Sequence, residues 1–232
     1  MTAETKPRAD GQRVDASAHR AFDRLPSVVH VVEAALGGSG KAVIALAAGQ
    51  AASGQRVALL YSPVRADSAF RAALQGLTNA GVIVHACPMS RGVIPWDDIR
   101  AAFQIRDFVR AFRPDILHLH ASKAGMLGRL MFGLARSPRI VYQPHGFSFL
   151  RRGKVFSAVY RVLEVLSAPL TDACVATSRT EANAALAGPL AWPTPLTAIP
   201  NIVAMPPANR ANTQRIRSAY APADGDRIAL YL

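Results

Sequence analysis

Two histidines one residue apart, His118 and His120, are followed closely by Ser122 and Lys123; a third, His145, stands between Pro144 and Gly146. Imidazoles gain or lose a proton near neutral pH and can hydrogen-bond in either state, so such a group suits proton handling or anion recognition. Further along, Ser178 and Glu181 have the spacing of a serine and glutamate that satisfy backbone amides at a helix start. Upstream, Gly37-Gly38-Ser39-Gly40-Lys41 follows the apolar run 28–32 and precedes the alanine-rich run 42–52, which places a glycine loop at a strand-to-helix turn. Glycine lets the backbone approach a ligand closely, and the unpaired amides and positive dipole end of the helix attract phosphate. Each such contact is worth only about 0.3–1 kcal/mol when exposed. Close helix packing is the alternative use of the same glycines.

Counting tests two familiar uses of such a loop. A P-loop needs glycine five residues before its Gly-Lys pair and Ser or Thr after it, where this chain has Ala35 and Ala42. A magnesium-dependent ATPase is therefore disfavoured. A dinucleotide fingerprint needs a third glycine where Val43 stands, and an acidic residue after the next strand, where none occurs. What remains is a phosphate-tolerant turn at the carboxyl edge of a first strand.

Composition narrows the class of molecule. The 232 residues are 50% hydrophobic with a formal charge of +12, enough for a globular core and suited to an anionic partner. The positive charges are spread, without interleaved aromatics or zinc-finger spacing, so nucleic acid is not an expected partner. Cys87 and Cys174 sit far apart in apolar settings, which fits reduced core thiols and a cytoplasmic location. Residues 1–26 read as a flexible polar leader without a signal-peptide core. No run has the length needed to span a bilayer, so any membrane contact is expected to be peripheral.

The elements that must position these residues alternate without a break. Strands are expected at 27–32, 56–61, 82–86, 115–120, 140–143, 173–176 and 196–199. Helices are expected at 39–53, 68–80, 96–112, 123–135, 154–167 and 180–187, and then a short helix 213–220 and a last strand 227–232. This alternation with apolar strands predicts an α/β fold, a Rossmann-like doubly wound parallel sheet. Ligands of such sheets gather at the carboxyl ends of strands, where the glycine loop, His118 and His120, His145 and Ser178 with Glu181 all fall.

Each candidate also has a plain structural use. His118 and His120 share a sheet face, and His118 serves equally well as a satisfied core imidazole. His145, between proline and glycine, fits an irregular loop of the kind that carries site residues. Ser178 and Glu181 are accounted for by a capping box, and Lys123 by a solvated helix start. Residues 151–166 join basic Arg151, Arg152, Lys154 and Arg161 to apolar Val155, Val159, Val162, Leu163 and Leu166 at helical spacing. Such a segment can lie on an anionic membrane or pack on the sheet.

In order along the chain, the glycine turn, His118-Leu-His-Ala-Ser-Lys-Ala-Gly-Met-Leu-Gly-Arg-Leu130, Pro144-His-Gly-Phe-Ser-Phe149, Glu164 within Tyr160-Arg-Val-Leu-Glu, Ser178 to Glu181, and Ile199-Pro-Asn201 resemble the amino-terminal domain of glycosyltransferase family 4. These are retaining enzymes of the GT-B fold that use nucleotide sugars. The resemblance covers residues 28–203. It implies that Gly37, Gly38, Ser39 and Gly40 face the donor diphosphate and that His145 is the catalytic residue beside the transferred sugar and its phosphate. His120, Ser122, Lys123, Gly146, Arg151, Arg152 and Glu181 become acceptor-side or phosphate-contact candidates. It implies no metal and no cofactor besides the nucleotide-sugar substrate, and Asp224-Gly-Asp226 reads as a turn.

The expected activity is transfer of a hexosyl-type group, with UDP-sugars the first donors to consider. The acceptor is a glycan or lipid-linked molecule of cell-surface polysaccharide biosynthesis, at the inner face of the cytoplasmic membrane. The chain departs from the family pattern at Ile202 and Ala204, where glycine and an acidic residue are usual. Residues 27–205 read as the Rossmann-like domain, and 206–232 as a linker and the first elements of an incomplete carboxy-terminal domain. That second domain supplies most donor contacts in the family, so a complementing carboxy-terminal domain is an expected partner. The alternative is an inactive truncated remnant or binding module with no transfer activity.

Overall fold

The apolar runs Val28–Val32, Val57–Tyr61 and Ile116–His120 form the centre of a seven-stranded sheet, and every pairing in it is parallel. A computed structural model describes residues 24–91, 94–135, 137–147, 154–187, 192–201 and 210–220 of the chain. The strands are β1 (Val28–Val32), β2 (Val57–Tyr61), β3 (Ile83–Ala86), β4 (Ile116–His120), β5 (Arg139–Gln143), β6 (Ala173–Ala176) and β7 (Leu196–Ala198). The helices are α1 (Gly37–Ala52), α2 (Ser68–Asn79), α3 (Pro95–Phe112), α4 (Ala121–Phe132), α5 (Lys154–Ser167), α6 (Arg179–Leu186) and α7 (Arg210–Tyr220). By internal contacts the chain divides into residues 1–201, which hold the sheet, and residues 202–232, which hold α7. The expected strand at 227–232, the Asp224 to Asp226 turn and most of the leader lie outside the described residues.

The strand order β3-β2-β1-β4-β5-β6-β7 reverses direction between β1 and β4. Strands are built outward from β1 to β3, then α3 carries the chain back to place β4 on the other side of β1. This reversal opens the crevice where ligands of doubly wound sheets bind. Val32 lies opposite His120 across it, and His30 lies opposite His118.

Two apolar clusters cover the two sheet faces. One includes Val43 and Ala47 of α1, Phe70 and Leu77 of α2, and Val32, Val57 and Leu59 of the sheet. The other joins Ile105 and Val109 of α3 and Leu127 and Phe132 of α4 to Val29, Val31, Leu117, Leu119 and Tyr142. Cys87 and Cys174 are both buried and unbridged, as their apolar settings suggest. Burial raises both thiols, Cys87 to about 11. Two glycines let α4 lie close on the sheet: a Cβ on Gly125 would be 2.4 Å from the Tyr142 ring, and one on Gly128 would be 2.4 Å from Leu119.

Polar groups are also buried on both faces. Beneath α4, Arg129 Nη2 donates to Glu164 Oε2 of α5 at 2.9 Å, the Tyr142 hydroxyl donates to Glu164 Oε1 at 2.8 Å, and Arg129 Nε donates to the Gly125 carbonyl. The guanidinium lies 4.2 Å from the centre of the Tyr142 ring. Burial first, then the Glu164 carboxylate, pushes the Tyr142 hydroxyl well above its ordinary value. Arg129 is fully buried, so removing either charge strands its partner in a medium that solvates it poorly. Arg129→Met is expected to lose about 3–5 kcal/mol in urea unfolding, and Arg129→Met with Glu164→Leu to regain most of it. A double variant as unstable as the single one would show that the charge left behind is not the cause.

On the opposite face, His30, His118 and His120 are buried. Desolvation lowers His30 to about 4 and takes His118 and His120 well below their ordinary value. The folded chain therefore holds these rings neutral, while the unfolded chain protonates them below about pH 6.5. Their contribution to stability is complete above pH 6.5 and is lost as pH falls toward 4. For His30 alone, the displacement from 6.5 to about 4 is worth roughly 3 kcal/mol. Unfolding free energy should stay level from pH 8 to 7 and fall steeply between pH 6.5 and 4; a level profile across the lower range would contradict neutral burial.

Candidate active site

The glycine loop forms the first turn of α1, which begins at Gly37 rather than at Ser39. Gly37 has φ +55°, a left-handed conformation that favours glycine, and a Cβ on Gly38 would meet nothing within 4 Å. Gly40 differs: a Cβ there would sit 3.1 Å from both the Ala35 carbonyl carbon and the Phe70 ring. The two uses of these glycines thus separate by residue, with Gly40 serving packing and Gly37 and Gly38 open to a ligand. The Ser39 hydroxyl turns back to donate to the Ala34 and Leu36 carbonyls.

One amide of the loop is already engaged. Gly37 N–H donates to Asp67 Oδ2 at 2.8 Å, and the other oxygen of the same carboxylate caps α2 through Phe70 N–H at 2.7 Å. The Gly37 amide is the main cause, with Phe70 next, of an Asp67 carboxyl below its usual range. A phosphate entering here meets a carboxylate on the first amide, while the Gly38 and Ser39 amides have no partner among the described residues.

At the carboxyl end of β5 the chain turns through two left-handed residues, His145 at φ 52° and Gly146 at φ 97°. For histidine that conformation costs about 1–2 kcal/mol, and Glu181 holds it in place. Glu181 Oε1 accepts from the amides of Gly146 at 2.7 Å and Phe147 at 3.1 Å, and Oε2 accepts from the amide and hydroxyl of Thr177, each at 2.7 Å. Ser178 Oγ accepts from Glu181 N–H, which is one arm of the expected capping box; the carboxylate reaches Thr177 instead of Ser178. Glu181 is buried, with these four bonds turned to the backbone and Thr177.

The histidines converge. His145 Nε2 lies 3.0 Å from His120 Nδ1, His120 Nε2 lies 3.0 Å from His30 Nδ1, and His30 Nε2 lies 2.7 Å from Gln50 Oε1. His118 flanks the row, with its ring centre 4.1 Å from that of His120. It hydrogen-bonds Gln143, which in turn donates to Asn201 at 3.4 Å, yet its Nε2 is buried without a hydrogen-bond partner among the described residues. His118 is thus only partly the satisfied core imidazole that its strand position allows. Burial lowers His145 to about 4, against the opposing charge of Glu181. His30, His118 and His120 each bring a ring nitrogen within 4.8 Å of the others, a set that could hold a divalent cation.

The remaining candidates scatter. Lys123 is paired with Asp98 across α3 and α4, both largely buried, rather than solvated. The Ser122 hydroxyl hydrogen-bonds the Tyr142 hydroxyl. Arg151 and Arg152 lie outside the described residues. Arg161 donates to the Ala184, Ala185 and Ala187 carbonyls at the end of α6. On the same helix Val162, Leu163 and Leu166 are exposed, and Glu164 is buried in their place. An open depression lined by Arg24, Leu25, Gly54 and Arg56 lies at the amino edges of β1 and β2, away from all these groups.

Local pattern did not single out His30, Gln50, Asp67 or Arg129. A histidine inside the otherwise apolar Val-Val-His-Val-Val of β1 was the available signal for the first. The others make their contacts 20 to 35 residues away.

Residues 37–202 match the profile of the glycosyl transferase 4-like domain. Over 75 residues the chain is 35% identical to UDP-Gal:alpha-D-GlcNAc-diphosphoundecaprenol alpha-1,3-galactosyltransferase of Escherichia coli, covering 32% of this chain and 19% of that one. Its fold is similar to that of a glycosyltransferase from Rickettsia africae (TM-score 0.57, 13% identity, 88% of this chain and 51% of that one). It is also similar to that of sucrose-phosphate synthase from Thermosynechococcus elongatus (TM-score 0.52, 13% identity, 75% and 48%). The chain therefore spans about half the length of these solved structures, with the parallel sheet of a GT-B glycosyltransferase. Because the family profile covers most of the sequence, from the glycine loop to the residue after Asn201, this chain belongs to the glycosyl transferase 4-like domain family.

Proposed function

We propose that this chain is the acceptor-side half of a retaining glycosyltransferase that moves a hexosyl group from a UDP-sugar to a glycan or lipid-linked acceptor in cell-surface polysaccharide synthesis. Family membership supports transfer from an activated sugar, and the galactosyltransferase match supports a lipid-linked acceptor. The observation that carries the site is His145, held in a left-handed turn at the carboxyl edge of β5 by its bond to His120 and by Glu181 on the next two amides. Departure of a nucleoside diphosphate builds negative charge. The Gly38 and Ser39 amides at the positive end of α1 would stabilise that charge with no metal ion. The donor is expected to need a carboxy-terminal domain, because positioning accounts for much of the rate of such a transfer.

Among the described residues no helix is long and apolar enough to cross a membrane. Exposed Leu163 and Leu166 on α5, with Leu130 and Leu134 near the end of α4, support peripheral contact at the cytoplasmic membrane face. A second reading, a binding module without transfer activity, draws on one observation: Gly37, Lys123 and Glu181 are all engaged within the chain. An assay of transfer and hydrolysis with a panel of UDP- and GDP-sugars, on this chain alone and together with a carboxy-terminal donor domain, tests them, since turnover in either case eliminates the second. In a preparation that turns over a UDP-sugar, His145→Ala should lower kcat about a hundredfold or more. The unpaired His120 nitrogen left behind should cost only about 1–3 kcal/mol of stability. Unchanged kcat would remove His145 from the mechanism.

A further inference from the structure

Gln50, His30, His120 and His145 come from α1, β1, β4 and the turn after β5, and they stand in single file. Every ring nitrogen along the file has a neighbour except the last, His145 Nδ1, which is buried with no hydrogen-bond partner among the described residues. A neutral imidazole has one N–H and one lone pair, so a ring that donates at one nitrogen must accept at the other. An amide oxygen only accepts. With Gln50 Oε1 facing His30, the direction of every bond is therefore fixed: His30 Nε2–H donates to Gln50, His120 Nε2–H to His30 Nδ1, and His145 Nε2–H to His120 Nδ1.

We infer that Gln50 is a positioning residue that sets the tautomer of His145 through His30 and His120, leaving His145 Nδ1 an acceptor. The inference rests on the geometry alone. Burial keeps the rings neutral at pH 7, so the file is not short-circuited by an imidazolium that donates at both ends. The device has two states. Turning a donor toward His30 Nε2 would reverse all three bonds and make His145 Nδ1 a donor suited to phosphate. A divalent cation on His30, His118 and His120 competes with the file, since both ring nitrogens of His30 and of His120 are already engaged in it.

Nitrogen-15 NMR of the histidine-labelled chain at pH 7 tests this without any assay of transfer. His30, His120 and His145 should all be Nε2–H tautomers. Through-hydrogen-bond nitrogen–nitrogen couplings should join His30 Nδ1 to His120 Nε2 and His120 Nδ1 to His145 Nε2. Gln50→Lys, a donor, should convert His145 to the Nδ1–H form. Absence of the couplings, an Nδ1–H proton on wild-type His145, or a Gln50→Lys protein that folds with His145 unaltered would each overturn the proposal; the wild-type couplings decide it if Gln50→Lys does not fold. Loss of the couplings on addition of equimolar zinc would overturn it in favour of a cation site.

Discussion

The Glu181 carboxylate is the constraint on which the candidate site depends. A left-handed histidine followed by a left-handed glycine is a turn that the chain abandons unless something binds its amides in that arrangement. Glu181 supplies this from α6, which follows the neighbouring strand β6. One oxygen takes the two amides after His145 and the other takes Thr177, so the β5 exit and the β6 exit are tied to one side chain. The bonds are charge-assisted and buried, which makes them short and costly to break. With the turn fixed, the His145 ring meets His120, and the row across β4 and β1 follows from strand register.

Sheet register turns ordinary residues into a polar network. In a parallel sheet covered on both faces, a buried polar side chain must find partners within the protein. His30 and His120 find them because one sits two residues past the other across the β1 and β4 pairing, which aims both rings to the same face. The opposite face solves the same problem with Arg129, Glu164 and Tyr142, where the close approach of α4 at Gly125 sets the guanidinium on the phenol ring. Each face thus carries one polar network near the carboxyl half of β4 and β5.

Much of this architecture was legible in the sequence, for identifiable reasons. Apolar runs alternating with helical patterns placed the seven described strands along the chain, though not their order in the sheet, and one-residue spacing put His118 and His120 on one face. Helix starts were less legible. α1 begins at Gly37 and α4 at Ala121, each two residues before the positions expected from pattern. At Gly37 the amide partner is Asp67, thirty residues away, which no local pattern records. The α5 stripe, which the sequence leaves open to a membrane or to the sheet, is exposed at Val162, Leu163 and Leu166 for a related reason. Hydropathy ranks Val162, Leu163 and Leu166 above Glu164, but the glutamate is drawn inward by a buried arginine on α4.

In a chain of formal charge +12, several cations near the candidate site are engaged within the described residues. Lys123 is spent on Asp98, Arg129 on Glu164, and Arg161 on the carbonyls of α6. Among the described residues, the carboxyl edge holds the exposed Lys41, two helix-start amides beside the Asp67 carboxylate, and an imidazole row that burial keeps uncharged. Neutral, fixed hydrogen-bonding groups discriminate by the direction of their donors and acceptors, whereas mobile cations attract any anion. In the proposed transferase the charge of a departing diphosphate would then fall to the α1 amides and to groups outside the imidazole row.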